Sequence, residues 1–122
     1  MTLNPRVILY GPWVKSLFFE YRGNLKMTIS VIATLIVQEG KQAEMEAAFK
    51  ALAEQVRANE PGNLAYHLTR SRDRPDLYKV LEIYAGQQAL EAHRASAHFR
   101  EIAPVLKNCL ACRAEAEYLD GV

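Results

Sequence analysis

The sequence predicts an α+β fold of the ferredoxin-like split type, β-α-β-β-α-β, pairing as a dimer into an α+β barrel. Three observations carry that prediction. The 122 residues hold four stretches with strand patterning and two helical stretches, the second one broken, in that order. The first strand is apolar on both faces, so helices cover one side of the sheet and a second layer is needed on the other. A copy of the chain supplies that layer most simply. The last stretch alternates cleanly, as an edge strand or a strand at a subunit boundary does.

The elements follow in order. Residues 1–26 form an arm rich in large apolar groups, among them Val14, Leu17, Phe18 and Tyr21 at helical spacing. Gly23 and Asn24 end it, and the compact domain spans 27–122. Ile29 to Val37 is a strand rich in β-branched residues. Lys41 to Ala58 is a helix whose stripe is Met45, Ala48, Phe49, Leu52 and Val56, stopped by Asn59, Glu60, Pro61 and Gly62. Leu64 to Ser71 and Leu77 to Ala85 form a hairpin around the polar turn Asp73-Arg74-Pro75-Asp76. Tyr78, Val80, Glu82 and Tyr84 share one face of its second strand. Gln87 to Ala95 is a short helix. A second piece runs from His98 to Asn108, with Pro104 expected to weaken or bend it. Ala111 to Leu119 is the fourth strand, with Cys112, Ala114, Ala116 and Tyr118 on one side.

Composition narrows the class of function. Fifteen Lys plus Arg against fourteen Asp plus Glu leave no field that would draw the chain to nucleic acid or anionic lipid. No run approaches 18 apolar residues, and no cleavable leader pattern is present, so no membrane partner is expected. Cys109 and Cys112 have C-x-x-C spacing at the end of a helix, with no second pair to complete a zinc site. Two buried thiols in a reducing, cytoplasmic setting are the expectation. Dinucleotide, P-loop, zinc-protease and nucleophile-elbow motifs are all missing.

The chemistry-bearing residues gather between Leu77 and Phe99. His93 and His98 are five apart and would diverge by about 140° on one continuous helix. A break at Ser96 or Ala97 brings them closer. Histidine is the natural proton carrier near neutral pH. Glu82 is a carboxylate on an otherwise apolar face. It either orients His93 or accepts a ligand proton in a cavity, or it pairs with Arg70 or is exposed at a strand end. His67, Tyr66, Tyr78, Tyr84 and Phe99 are candidates to line a pocket for a flat, mostly apolar ligand. His67, His93, His98 and Glu82 offer metal-ligand types, but their spacing matches no standard site, and no metal is expected.

The run EPGNLAYHLTRSRDRPDLYKVLEIYAGQQALEAHRASAHFRE resembles the antibiotic biosynthesis monooxygenase domain family, including its quinol monooxygenase-like members. The likeness extends over Thr28 to Tyr118. It rests on the Glu60-Pro61-Gly62 turn, the Tyr66 strand, Glu82 and the A-L-E-A-H and S-A-H-F segments. The resemblance implies a dimeric α+β barrel. For some members it implies oxygenation of a quinol or polycyclic phenol by dioxygen with no cofactor, the substrate supplying the electrons. In that scheme His93, His98 and Glu82 carry proton transfer and orientation, and the aromatic set shapes the pocket. A haem-degrading branch of the family has a pocket tryptophan, whereas the single Trp13 here lies in the arm; a family position often held by tryptophan is Tyr84. A non-catalytic, dimeric small-molecule-binding or stress-related module is the alternative reading.

Overall fold

The computed structural model describes residues 25–122, so the arm expected over 1–26 lies almost wholly outside the described residues. A short 3-10 turn, Leu25–Met27, leads into β1 (Ile29–Ile36). Then come α1 (Gln42–Asn59), β2 (Asn63–Arg70), β3 (Leu77–Tyr84), α2 (Gln87–Ala95), α3 (Ala97–Cys109) and β4 (Glu115–Asp120). The strands form one antiparallel sheet in the order β2-β3-β1-β4. This is the predicted ferredoxin-like arrangement, with β1 and β3 in the middle and the helices on one face.

Local chemistry sets each junction. Gly40 has φ of +84°, a conformation open to glycine at little cost, and it turns the chain from β1 into α1. Met45, Phe49, Leu52 and Val56 form the buried stripe of α1, joined by Ala53. Each large side chain so buried contributes about 1.5–3 kcal/mol of transfer free energy. In β2 an irregularity between Asn63 and Ala65 leaves Leu64 without a partner, so regular alternation starts at Ala65 rather than at Leu64. The Ser96 hydroxyl donates to the His93 carbonyl (2.7 Å) and accepts from the Phe99 amide (3.2 Å). One residue thus closes α2 and opens α3. Helix α3 runs on through Pro104, whose ring nitrogen has no hydrogen to give the Arg100 carbonyl.

Two expectations need correction. The fourth strand begins at Glu115, not Ala111. Leu110 instead bridges Val37, and the Gln38 side chain donates to the carbonyls of Asn108 and Leu110, tying down the end of α3 before the chain joins the sheet. Cys109 is buried as expected, but Cys112 is exposed because it falls in this connecting stretch.

The core on the helix side has two centres. Leu35, Val37, Met45, Phe49, Tyr78, Val80 and Cys109 pack together near one end, and Val31, Tyr84 and Leu90 near the other. Residues of both centres line the space between them. The opposite sheet face carries Ile32 and Ile36, half-buried, with Leu81, Ile83 and Leu119 exposed. No element among the described residues covers it.

Candidate active site

A cavity of about 730 Å³ opens between the sheet and the helices. Val31, Ala33 and Leu35 of β1 floor it, and Phe49, Leu90, Phe99 and Leu106 supply apolar wall from three helices. The polar side chains that border this space include Tyr66 of β2, Glu82 of β3, His93 and Arg94 of α2, and, toward β4, Lys107 of α3 and Arg113. The alternating face Cys112, Ala114, Ala116 and Tyr118 closes the β4 side.

His93 is the centre of the polar set. Its ring is buried among three aromatic rings, with centroids 5.2 Å from Tyr66, 5.5 Å from Tyr84 and 4.9 Å from Phe99. Nδ1 lies 3.1 and 3.0 Å from the two carboxylate oxygens of Glu60. His98 Nε2 meets the same carboxylate at 2.5 Å. No described residue bonds His93 Nε2, and the ring borders the cavity. A neutral ring whose Nδ1–H donates to Glu60 therefore presents a lone pair at Nε2. Burial lowers the His93 pKa; the Glu60 carboxylate opposes that, and His98 and Arg94 reinforce it. The neutral, proton-accepting form is thereby favoured.

The position of Glu60 follows from the turn that ends α1. Glu60 caps the helix, its amide donating to the Val56 carbonyl. Two residues on, Gly62 packs so close to α2 that a Cβ there would fall 2.6 Å from the Ala89 Cβ. That approach brings the turn against the α2–α3 break, where both histidines reach Glu60.

Glu82 does not orient His93. The Tyr84 hydroxyl donates to it at 2.6 Å, and Arg70 pairs with Glu46 instead. Burial raises the Glu82 pKa, against the opposing effects of the Tyr84 hydrogen bond and the Arg94 charge. Burial also raises the pKa of Tyr66 and Tyr84, helped by the Glu82 charge, so both phenols stay protonated donors. Phe99 and Tyr66 line the cavity, and Tyr84 packs behind His93. Tyr78 is buried away from the cavity, its hydroxyl donating to Glu46 at 2.5 Å. His67 is exposed on the outer sheet face, since it pairs with Leu81, which points away from the helices. His98 lies outside the cavity wall but within the Glu60 cluster.

The metal-type donors that converge are Glu60, His93 and His98, within 4.8 Å of one another, and not the set containing His67 and Glu82. A ligating histidine normally donates its remote N–H to a fixed acceptor. Neither ring has one among the described residues, so hydrogen bonding describes the cluster better than ligation.

Residues 28–105 match the family model of the antibiotic biosynthesis monooxygenases. The chain belongs to that family. A putative antibiotic biosynthesis monooxygenase from Caulobacter crescentus is 41% identical with a TM-score of 0.77, over 85% of this chain and 98% of its own. A conserved protein from Methanosarcina mazei is 27% identical with a TM-score of 0.78, over 83% and 99%. A putative antibiotic biosynthesis monooxygenase from Nitrosomonas europaea, at 22% identity and TM-score 0.75 over 80% and 92%, shares the fold. No functionally curated protein gives a significant match. Family and relatives together give the chain a general monooxygenase-like role. No helix among the described residues is long and apolar enough to cross a membrane.

Proposed function

We propose that this protein is a monooxygenase that oxidises a quinol or polycyclic phenol with dioxygen, the substrate supplying all the electrons. One observation carries the reading: a histidine fixed at Nδ1 by a buried carboxylate, with Nε2 open to a mostly apolar cavity large enough for a fused-ring phenol. His93 takes the phenolic proton. Arg94 and the Tyr66 hydroxyl balance the phenolate charge in a site of low polarity. The electron-rich ring then reduces dioxygen, and a carbon–oxygen bond forms at a ring C–H. Loss of that hydrogen as a proton, with cleavage of the O–O bond, leaves a carbonyl and releases water. In sum, one quinol and one dioxygen give one hydroxyquinone and one water. His93, now protonated, returns its proton to the departing oxygen.

Oxygen uptake and product analysis with a panel of quinols and naphthalene-type phenols, each against its own autoxidation, test the reading. Turnover in the wild type that His93→Gln removes would support it. Absence of enzyme-dependent uptake across the panel, with the same phenols still bound, would instead leave a small-molecule-binding module.

The second copy belongs to the same proposal. The apolar outer sheet face supports pairing sheet to sheet, so Leu81→Lys with Ile83→Lys shifts the mass in solution from dimer to monomer by light scattering. An unchanged mass would overturn that arrangement.

A further inference from the structure

The Glu60 cluster has two open ends, and they face different spaces. His93 borders the main cavity. His98 borders a separate groove between α1 and α3, of about 590 Å³, whose rim includes the exposed carboxylates Glu54 and Glu101. Between the two, the side chains of His93, Glu60 and His98 are only 4%, 8% and 13% exposed. His93 Nε2 and His98 Nδ1, the two outward nitrogens, have no hydrogen-bond partner among the described residues.

We propose that Glu60 and His98 couple proton uptake at His93 in the cavity to proton release at the α1–α3 groove. This rests on the reading of His93 as the base. Glu60 carries one negative charge and sits against two rings, so it balances one imidazolium at a time: in this scheme His98 before the phenol gives up its proton and His93 after. A second buried cation costs more than the first. When His93 Nε2 receives the phenolic proton, His98 releases one from Nδ1 to water in the groove, beside Glu54 and Glu101. When water forms from the reduced oxygen, His93 gives its proton back and His98 recovers one. One proton enters as one leaves in each direction. No electron moves, and the Nδ1–H of His93 and the Nε2–H of His98 stay on Glu60 throughout. The other charged groups facing His93 are Arg94 and Glu82, with Tyr66 and Tyr84 as neutral donors. The arrangement gives the proton an outlet on the far side of the cluster when a substrate fills the cavity. His98 is in this sense a positioning residue.

The test needs no substrate. The histidine rings of isotopically labelled protein are titrated by NMR in the wild type, His98→Gln and His98→Asn. Either amide leaves an N–H for Glu60 but cannot hold a proton. Coupling predicts that His93 titrates in two steps in the wild type. It becomes a single step in the variants, with proton affinity raised by about tenfold, the size that defines a coupled pair. A His93 curve that is single and unshifted overturns the proposal. So does a stoichiometric divalent metal on the purified wild type that is lost in His98→Gln. Oxygen uptake across the same panel of quinols and naphthalene-type phenols, run beside it, separates the two readings. Coupling without uptake leaves the cluster intact and removes the oxygenase reading; uptake without coupling does the reverse.

Discussion

The two walls of the cavity are built on opposite terms. On the α2–α3 side, two nearly buried histidines share one carboxylate, and aromatic rings pack against His93. On the β4 side every residue of the strand is exposed, and apart from the backbone ladder to β1 it is tied by Arg94, which bonds the Tyr118 hydroxyl and lies 5.0 Å from its ring centre. A buried polar cluster is costly to leave half-satisfied, whereas an exposed contact exchanges readily with water. The first wall is therefore the one able to fix the geometry of the proposed proton transfer, and the second is the one that yields more readily.

Removing the shared acceptor tests that contrast most severely. Glu60→Leu leaves two buried ring N–H donors unmatched, at about 1–3 kcal/mol each, and urea unfolding should register the sum. A loss no larger than that of a rim substitution would mean that the cluster is solvated and the contrast false. Gly62→Val acts on the same wall through the backbone. With the first added carbon already 2.6 Å from the Ala89 Cβ, α2 and the Glu60 turn must separate, at about 1–3 kcal/mol. Oxygen uptake should fall along with stability, because Glu60 moves away from His93.

Protonation supplies a smaller effect of known sign. The folded His93 has a pKa below its ordinary 6.5, so between those values the unfolded chain binds more protons. Its contribution to stability is complete above pH 6.5 and is lost as pH falls through the folded value. Subtracting the His93→Gln unfolding curve from that of the wild type isolates this term from Glu82, whose raised pKa works in the opposite direction. A difference independent of pH, or one that grows as pH falls, would show that burial does not govern His93.

Much of this architecture was legible in the sequence because period and face are local. The alternation of β3, the stripe of α1 and the order of elements along the chain needed no tertiary information. Ser96 was readable as a break, and with it the approach of His93 to His98. Glu60 was not, because a Glu-Pro-Gly run after a helix reads first as a stop. A signal was there: a carboxylate at a helix C-terminus faces the negative end of the dipole, and such a residue calls for a partner. Arg94, next to His93, was not singled out, because its charge alone did not tell it from the other arginines. The face Cys112, Ala114, Ala116 and Tyr118 was grouped correctly and its strand is an exposed edge as expected; that the face borders a cavity was not legible, since small residues do not say what stands across from them. The partner of Glu82 was misread because Tyr84, two residues along the same strand face, can reach it, and spacing alone did not rank that against a contact with His93.

The smallest expected effect lies on the rim. Tyr118→Phe keeps the ring beneath the Arg94 guanidinium, and with it the cation–π attraction, while removing the hydroxyl that Arg94 bonds. Tyr118 is 52% exposed, so water replaces the lost partner, and unfolding should shift by no more than about 0.5 kcal/mol. What should change is the freedom of Arg94 to turn into the cavity. If Arg94 balances a bound phenolate, a guanidinium released from Tyr118 binds phenols at least as tightly as in the wild type. Weaker binding at unchanged stability would mean that Tyr118 holds Arg94 in its productive position. A stability loss matching that of Glu60→Leu would mean that rim and wall are fixed alike.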